Sequence, residues 1–339
     1  MVDVPDPELR IVDPHHHLWD LSALVPHLPN DDHPFYDMLR GAATYDVDDL
    51  VADLDSGHRV VATVFVECGT NYRPGGPPEL RPVGETEFVA GVALGSVRPG
   101  VCAGIVASAD MTLGNAVAPV LEAHVEAGGG LLRGIRDAVN FDADPTVLPG
   151  FMMKPPGLLT DPTFRAGVAQ LERFGLSFDV LALEPQLVDV VDLARALPGV
   201  SFVLDHCGEP IGLGSYAGTL DERFPIWQQS MEQLAHCPNV TVKLGGLTLP
   251  LHHPTAFTNP GAAVLAHEWR RYIETCIELF GAERCMFESN YPVESAAGSY
   301  STVWTAFELL AAGCSDGERE ALFSGTASRV YRLDVSGES

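Results

Sequence analysis

Two histidines, His15 and His17, stand two residues apart in the run Ile11-Val12-Asp13-Pro14-His15-His16-His17. On an extended segment, side chains at that spacing point the same way, so both imidazoles can reach one ligand while His16 faces the other side. Neutral imidazole nitrogens suit a divalent metal. A pair of histidines alone is more simply a hydrogen-bonded cluster. A third, His206, stands in Leu204-Asp205-His206-Cys207-Gly208, also at the end of an apolar run. Three such histidines favour a site, and His15, His17 and His206 with an open fourth position would suit zinc.

The elements that must position them follow one pattern. Short β-branched runs at residues 10–14, 60–67, 101–108, 130–137, 177–181, 201–205, 240–244 and 284–288 alternate with helical stretches. The helices fall near 47–56, from about 85, then 115–127, 162–174, 186–196, 225–236, 262–280, 301–312 and 316–331. Eight strand-then-helix units predict an α/β fold, a (β/α)8 TIM barrel, as a single domain over residues 1–339. No Gly-x-Gly-x-x-Gly follows the first strand, which argues against a dinucleotide-binding sheet.

A barrel sends every strand's C-terminal end to one mouth. Those ends carry His15 and His17, Glu67, Arg136 and Asp137, Asp179, His206, Lys243, and Glu288 with Asn290. Core packing does not call for so many ionisable groups on one rim. Loops 68–84 and 142–160 follow strands and belong at the same rim. Arg73 and Arg81, in the first loop, are candidate lid contacts to an anionic substrate, with solvated loop residues as the plainer reading. The pair His252 and His253 is a rim feature of the loop after the seventh strand.

The segments IVDPHHHLWD (11–20), FVECG (65–69), RGIRDAV (133–139), FVLDHCGEP (202–210), VKLGGL (242–247) and MFESNYPVE (286–294) carry a family resemblance. In this order, and through LFSGTASRVYRL (322–333), the chain resembles the amidohydrolase superfamily. It is most similar in pattern to the amidohydrolase-2 group of metal-dependent hydrolases, which includes sugar-lactone and dicarboxylate-lactone hydrolases. The resemblance implies a barrel that hydrolyses a cyclic ester or related carbonyl compound. It makes His15, His17 and His206 metal ligands or close neighbours of a metal. It sets Asn290 at the place of a water-activating aspartate and makes Arg136 the holder of a substrate carboxylate.

The chain departs from that pattern at the eighth strand, where the usual Gly-Ser-Asp-x-Pro is Glu288-Ser289-Asn290-Tyr291-Pro292. An amide cannot take a proton at neutral pH. Glu288, Glu67, Asp137 and Asp179 are the candidate replacement bases. The fifth strand region has no histidine, so metal-bound and metal-free chemistry both stay open. Lys243 could polarise a carbonyl or pair with one of these acids. The leading expectation is a hydrolase of a carboxylate-bearing lactone. The alternatives are a metal-dependent decarboxylase of an aromatic acid and a non-catalytic small-molecule binder.

Composition narrows the partners. The 339 residues carry a net charge of −26, are 46% hydrophobic and only 19% charged, and contain seven dispersed cysteines. That charge repels nucleic acid and anionic membranes. The acidic N-terminus lacks the features of a signal peptide, and no apolar stretch is long enough to span a bilayer. A cytoplasmic protein with reduced thiols, a small and anionic substrate, and a homodimer as the one assembly left open are the expectations.

Overall fold

The computed structural model describes residues 6–29, 33–248 and 259–335. Its main sheet has eight parallel strands: β1 (Arg10–His16), β2 (Arg59–Val66), β3 (Gly104–Ser108), β4 (Leu132–Arg136), β5 (Ser177–Val180), β6 (Ser201–Leu204), β7 (Val240–Leu244) and β8 (Cys285–Phe287). Each pairs with its successor in sequence. The seam between first and last is closed just beyond the strands. There the Asn290 N–H donates to the His15 carbonyl at 2.9 Å and the His17 N–H to the Tyr291 carbonyl at 2.8 Å. The result is the expected (β/α)8 barrel.

Sequence explains both layers of the core. The β2 run RVVATVFV is apolar at almost every position, as a strand buried on two faces must be. Inward-facing Val12, Val64, Val106, Val203 and Met286 pack in one cluster with Ala327, Tyr331 and Leu333, which stop the N-terminal end of the barrel. The outward faces pack under the helices in a second, larger cluster. Local signals set the helix ends. Asp46 and Asp49 form a capping box on Val47–Leu54. Asp161 caps Pro162–Phe174, which stops at Gly175 in the left-handed region.

Several boundaries differ from the sequence reading. β3 starts at Gly104 because Cys102 is left-handed, with φ 51°, and interrupts the apolar run. The helix over 225–236 begins earlier, at Leu220, with Pro225 inside its first turns. The last helix breaks into Asp316–Glu320, a π-turn at Ala321–Gly325 and Thr326–Val330. A further helix, Pro34–Gly41, is new. It sits in an excursion after β1 that is pinned where Trp19–Asp20 pairs antiparallel with Thr44–Tyr45. Among the described residues, no helix is long and apolar enough to cross a membrane, and all seven cysteines are free.

Candidate active site

β1 sorts its ionisable residues to two sides. A register shift between Asp13 and His16 turns His15 inward although Asp13 faces out. Asp13 accepts from the Ser289 Oγ at 2.6 Å, the Ser289 N–H at 3.1 Å and the Tyr300 hydroxyl at 3.0 Å. It therefore ties β1 to the segment after β8, outside the site. His16 also faces out, edge-on to Phe65. His15 and His17 share the inside, with their Nε2 atoms 3.3 Å apart. The His17 Nδ1 lies 2.8 Å from the Val66 carbonyl, and its ring stacks on Trp19. The His15 Nδ1 lies 2.7 Å from Glu288 Oε2. Burial pushes both imidazoles well below their usual range, with Lys243 the next cause for His15 and Arg136 for His17. Both rings are thus neutral.

His206 follows β6 in a turn whose backbone is left-handed at His206, Cys207 and Glu209 (φ 54°, 52° and 42°). Non-glycine residues rarely adopt that region, and clusters of them mark functional sites. Tertiary bonds hold the turn: Trp227 Nε1 donates to the Cys207 carbonyl at 2.8 Å and the Glu184 N–H to the Glu209 carbonyl at 3.0 Å. Two glycines after β7 make room. A Cβ at Gly246 (φ +67°) would come within 2.3 Å of His206 Nδ1, and one at Gly245 within 2.5 Å of Glu288 Cγ. In that space the Glu288 carboxylate lies 2.6 Å from His206 Nδ1 and bridges it to His15. Burial alone would lower the His206 imidazolium, but the Glu288 charge and hydrogen bond outweigh it and raise it to about 9.

Beneath the histidines lies a charge network in which Lys243, Asp179 and Asp205 have no exposure. The Lys243 Nζ donates to Asp179 at 3.0 Å and lies 3.0 Å from Asp205 and 3.2 Å from His15 Nδ1. Asp179 also accepts from Ser177 at 2.7 Å and from the Tyr331 hydroxyl at 2.6 Å. Each of the three Arg136 nitrogens has a partner. Its Nε donates to Glu67 Oε1 at 2.8 Å, one Nη to the Glu67 carbonyl at 2.6 Å and the other to Asp205 at 3.2 Å. Burial would raise the Asp205 carboxyl, but Lys243, His206 and Arg136 hold it below the usual range.

Above this floor opens a cavity of about 430 Å3. His17, His206, Arg136, Glu67, Asp137 and Asn290 reach it. Asp137 accepts from the Met111 N–H at 3.0 Å and lies 3.7 Å from Lys154 Nζ. Burial pushes its carboxyl up to about 6.

Five expectations change. Lys243 and Asp179 do not line the cavity; they are fully buried below it and neutralise each other. Glu288 is fully buried as well, in contact with His15 and His206 and outside the cavity lining. Arg136 has no free pair of donors for a substrate carboxylate. Arg73 lies outside the cavity, its guanidinium paired with Glu87. His252 and His253 lie outside the described residues. The sequence reading also missed Glu209, which lines the cavity 3.9 Å from His206 Nε2 and is raised by burial to about 7. An acidic residue directly before Pro210, three places after the turn's histidine, was the available signal.

The spacing of His15 and His17 fits a metal, with one Arg136 Nη, 3.3 Å from the His15 Nε2, as the group such an ion would displace. Two nitrogens on one tetrahedral ion at about 2.0–2.1 Å each stand roughly 3.3 Å apart, and the Nε2 atoms of His15 and His17 do so. Their other nitrogens face a backbone carbonyl and a carboxylate, the usual support of metal-bound imidazoles. His15, Asp205 and His206 also offer ligand atoms within 4.8 Å of one another.

Comparison with known proteins agrees with this architecture. The sequence pattern of a family described as amidohydrolase matches residues 12–333. The uncharacterized protein y4mH of Sinorhizobium fredii is 32% identical over 96% of this chain and 99% of its own length. An L-fucono-1,5-lactonase of Burkholderia multivorans is 33% identical over 64% of this chain and 68% of its own. Crystal structures of an amidohydrolase from Burkholderia multivorans, with HEPES and with zinc bound, superpose with a TM-score of 0.71 at 28% identity, over 95% of this chain and 99% of theirs.

Proposed function

The chain belongs to the amidohydrolase family and is an enzyme of it, and from that starting point we propose that it hydrolyses a lactone. One observation carries the reading. A cavity sized for a small molecule holds, on one wall, a histidine kept protonated by a buried carboxylate and a separate carboxylate raised toward neutrality. The names of the lactonase relatives support the same reaction.

Asp137 takes a proton from water as the water oxygen bonds to the acyl carbon. With its carboxyl near 6, it is ionised at neutral pH yet still basic enough to be useful. The carbonyl oxygen gains negative charge, which the His206 imidazolium beside it stabilises. The ring C–O bond then breaks, and the ring oxygen takes the His206 proton to leave as an alcohol. The product is a hydroxy acid, one water heavier than the lactone. Glu288 keeps His206 charged and oriented, as the third member of a catalytic triad does for its histidine. His15 and His17 are the residues that would hold a divalent ion, with Asp205 in reach and the protonated His206 left as the proton donor, and such an ion would supply Lewis-acid polarisation of the carbonyl. The zinc in the related structure supports this.

The test is pH-stat titration of acid released from a panel of γ- and δ-lactones, with metal analysis of the same preparation. Stoichiometric hydroxy acid is the expected product. A folded protein that releases no acid from any lactone sinks the reading, and carbon dioxide from an aromatic acid would replace it with a decarboxylase.

A further inference from the structure

The cavity's second wall is unlike the first. The excursion after β1 supplies Leu21, Leu24, Phe35, Met38 and Leu39, and Phe151 closes over them from the loop after β4. The Phe151 ring lies 6.1 Å from both Phe35 and Tyr36, and the His33 imidazole, 3.2 Å from the Val147 carbonyl, helps hold the two loops together. Phe151 is 60% exposed and Leu24 48%, although both are large and apolar. Exposed apolar side chains that gather at one cavity mouth mark a binding surface.

None of these six side chains offers a donor or a strong acceptor for a hydrogen bond. A ring hydroxyl seated against them would lose its water without replacement, and sites of this kind select strongly by such mismatches. The polar wall gives an extra charge no better place. Arg136 is spent on Glu67 and Asp205, and Lys154 stands at Asp137. A substrate carboxylate would have to compete with Glu67, Asp137 and Glu288 for the cations Arg136, Lys154 and His206 that line the cavity. Resting on the lactone-hydrolase reading above, we infer that the substrate carries an uncharged apolar substituent, alkyl or aryl, next to its ring oxygen, and neither a hydroxyl nor a carboxylate at that place.

The experiment compares kcat/KM for δ-lactones bearing hydrogen, propyl or pentyl next to the ring oxygen with a polyhydroxylated sugar δ-lactone and a carboxyl-bearing one. The expected rise is up to about fourfold per methylene, the factor for a fully buried CH2, with the sugar and carboxyl lactones below all three. Phe151→Ser and Leu24→Ser, at exposed positions that folding tolerates, should each narrow the pentyl preference several-fold. A sugar or carboxyl lactone turned over faster than the pentyl compound overturns the inference.

Calorimetry with the matching lactams separates it from the reaction itself. If no lactone is hydrolysed but the pentyl lactam binds more tightly than the unsubstituted one, with a negative heat-capacity change, the substrate class stands and the hydrolysis falls. Equal binding of the two lactams overturns the inference. So does a Phe151→Ser variant that changes oligomeric state in light scattering and leaves the preference untouched, because the apolar mouth would then be a subunit contact.

Discussion

The floor of the site and its mouth are built on opposite principles. On the floor every charge is matched: Lys243 by Asp179 and Asp205, Arg136 by Glu67 and Asp205, His206 by Glu288. The mouth is apolar, partly exposed, and made by two excursions from the barrel. The floor fixes which protonation states exist at neutral pH and leaves little freedom to change them. The mouth can vary without disturbing those states. Chemistry and selectivity are thus carried by separable parts of one fold, as barrels with variable loops permit.

The sharpest way to test that division is at its boundary. Asp137→Asn removes the proposed base while keeping its shape, and should lower kcat by about 10²–10⁴. Wild-type activity should rise with pH through about 6, hold, and fall through about 9 as His206 loses its proton. If the variant stays active with a limb near 7, Glu209 is the base instead. Stability should move the other way. The folded Asp137 carboxyl sits above its ordinary 3.8, so its contribution is full below about 4 and lost as pH rises through about 6. Above pH 6 the variant should therefore match or exceed the wild type in urea.

Lys243→Met breaks the floor itself. It leaves Asp179 and Asp205 as uncompensated buried charges and should cost about 3–5 kcal/mol of stability. Adding Asp179→Asn should return part of that loss, and an unchanged urea midpoint in the single variant would show that the network holds nothing together. At the barrel seam, Ser289→Ala takes one donor from buried Asp13, for an expected loss of about 1–3 kcal/mol in the same assay. At the outer rim, Arg73→Ala should change stability by less than about 0.5 kcal/mol, because its pair with Glu87 is exposed. Its KM should not move either; a large increase would bring Arg73 back into substrate binding.

The two regions were also unequally legible. Strand ends announce themselves, since an apolar run that stops at His, Asp, Arg or Lys has only one end at which to put them. That logic located His15, His17, His206 and Arg136 together at one end of the barrel, His15 fully buried and the other three lining the cavity. It could not tell which of them touch the cavity, because depth along the barrel is set by strand tilt and not by residue type. So Lys243, Asp179 and Glu288 were expected one layer too high. The apolar wall was not legible at all. Helix Pro34–Gly41 is short, and its four buried residues look like ordinary core until the loop carrying Phe151 is seen above them. Arg136 was misread for a related reason: an arginine's availability depends on partners from β2 and β6, remote in sequence.

The seam of the barrel bears on how the protein is made. His17 leaves the ribosome long before its partner, because its backbone N–H is satisfied by Tyr291, and His15 accepts from Asn290. At typical synthesis rates of about 5–20 residues per second, those partners follow some 15–55 s later. Throughout that interval the first strand has one neighbour and one bare edge, and the histidines at its end face solvent. The reactive centre is therefore among the last parts of the molecule to become itself, so a nascent chain stalled before β8 would carry every histidine of the site and no site.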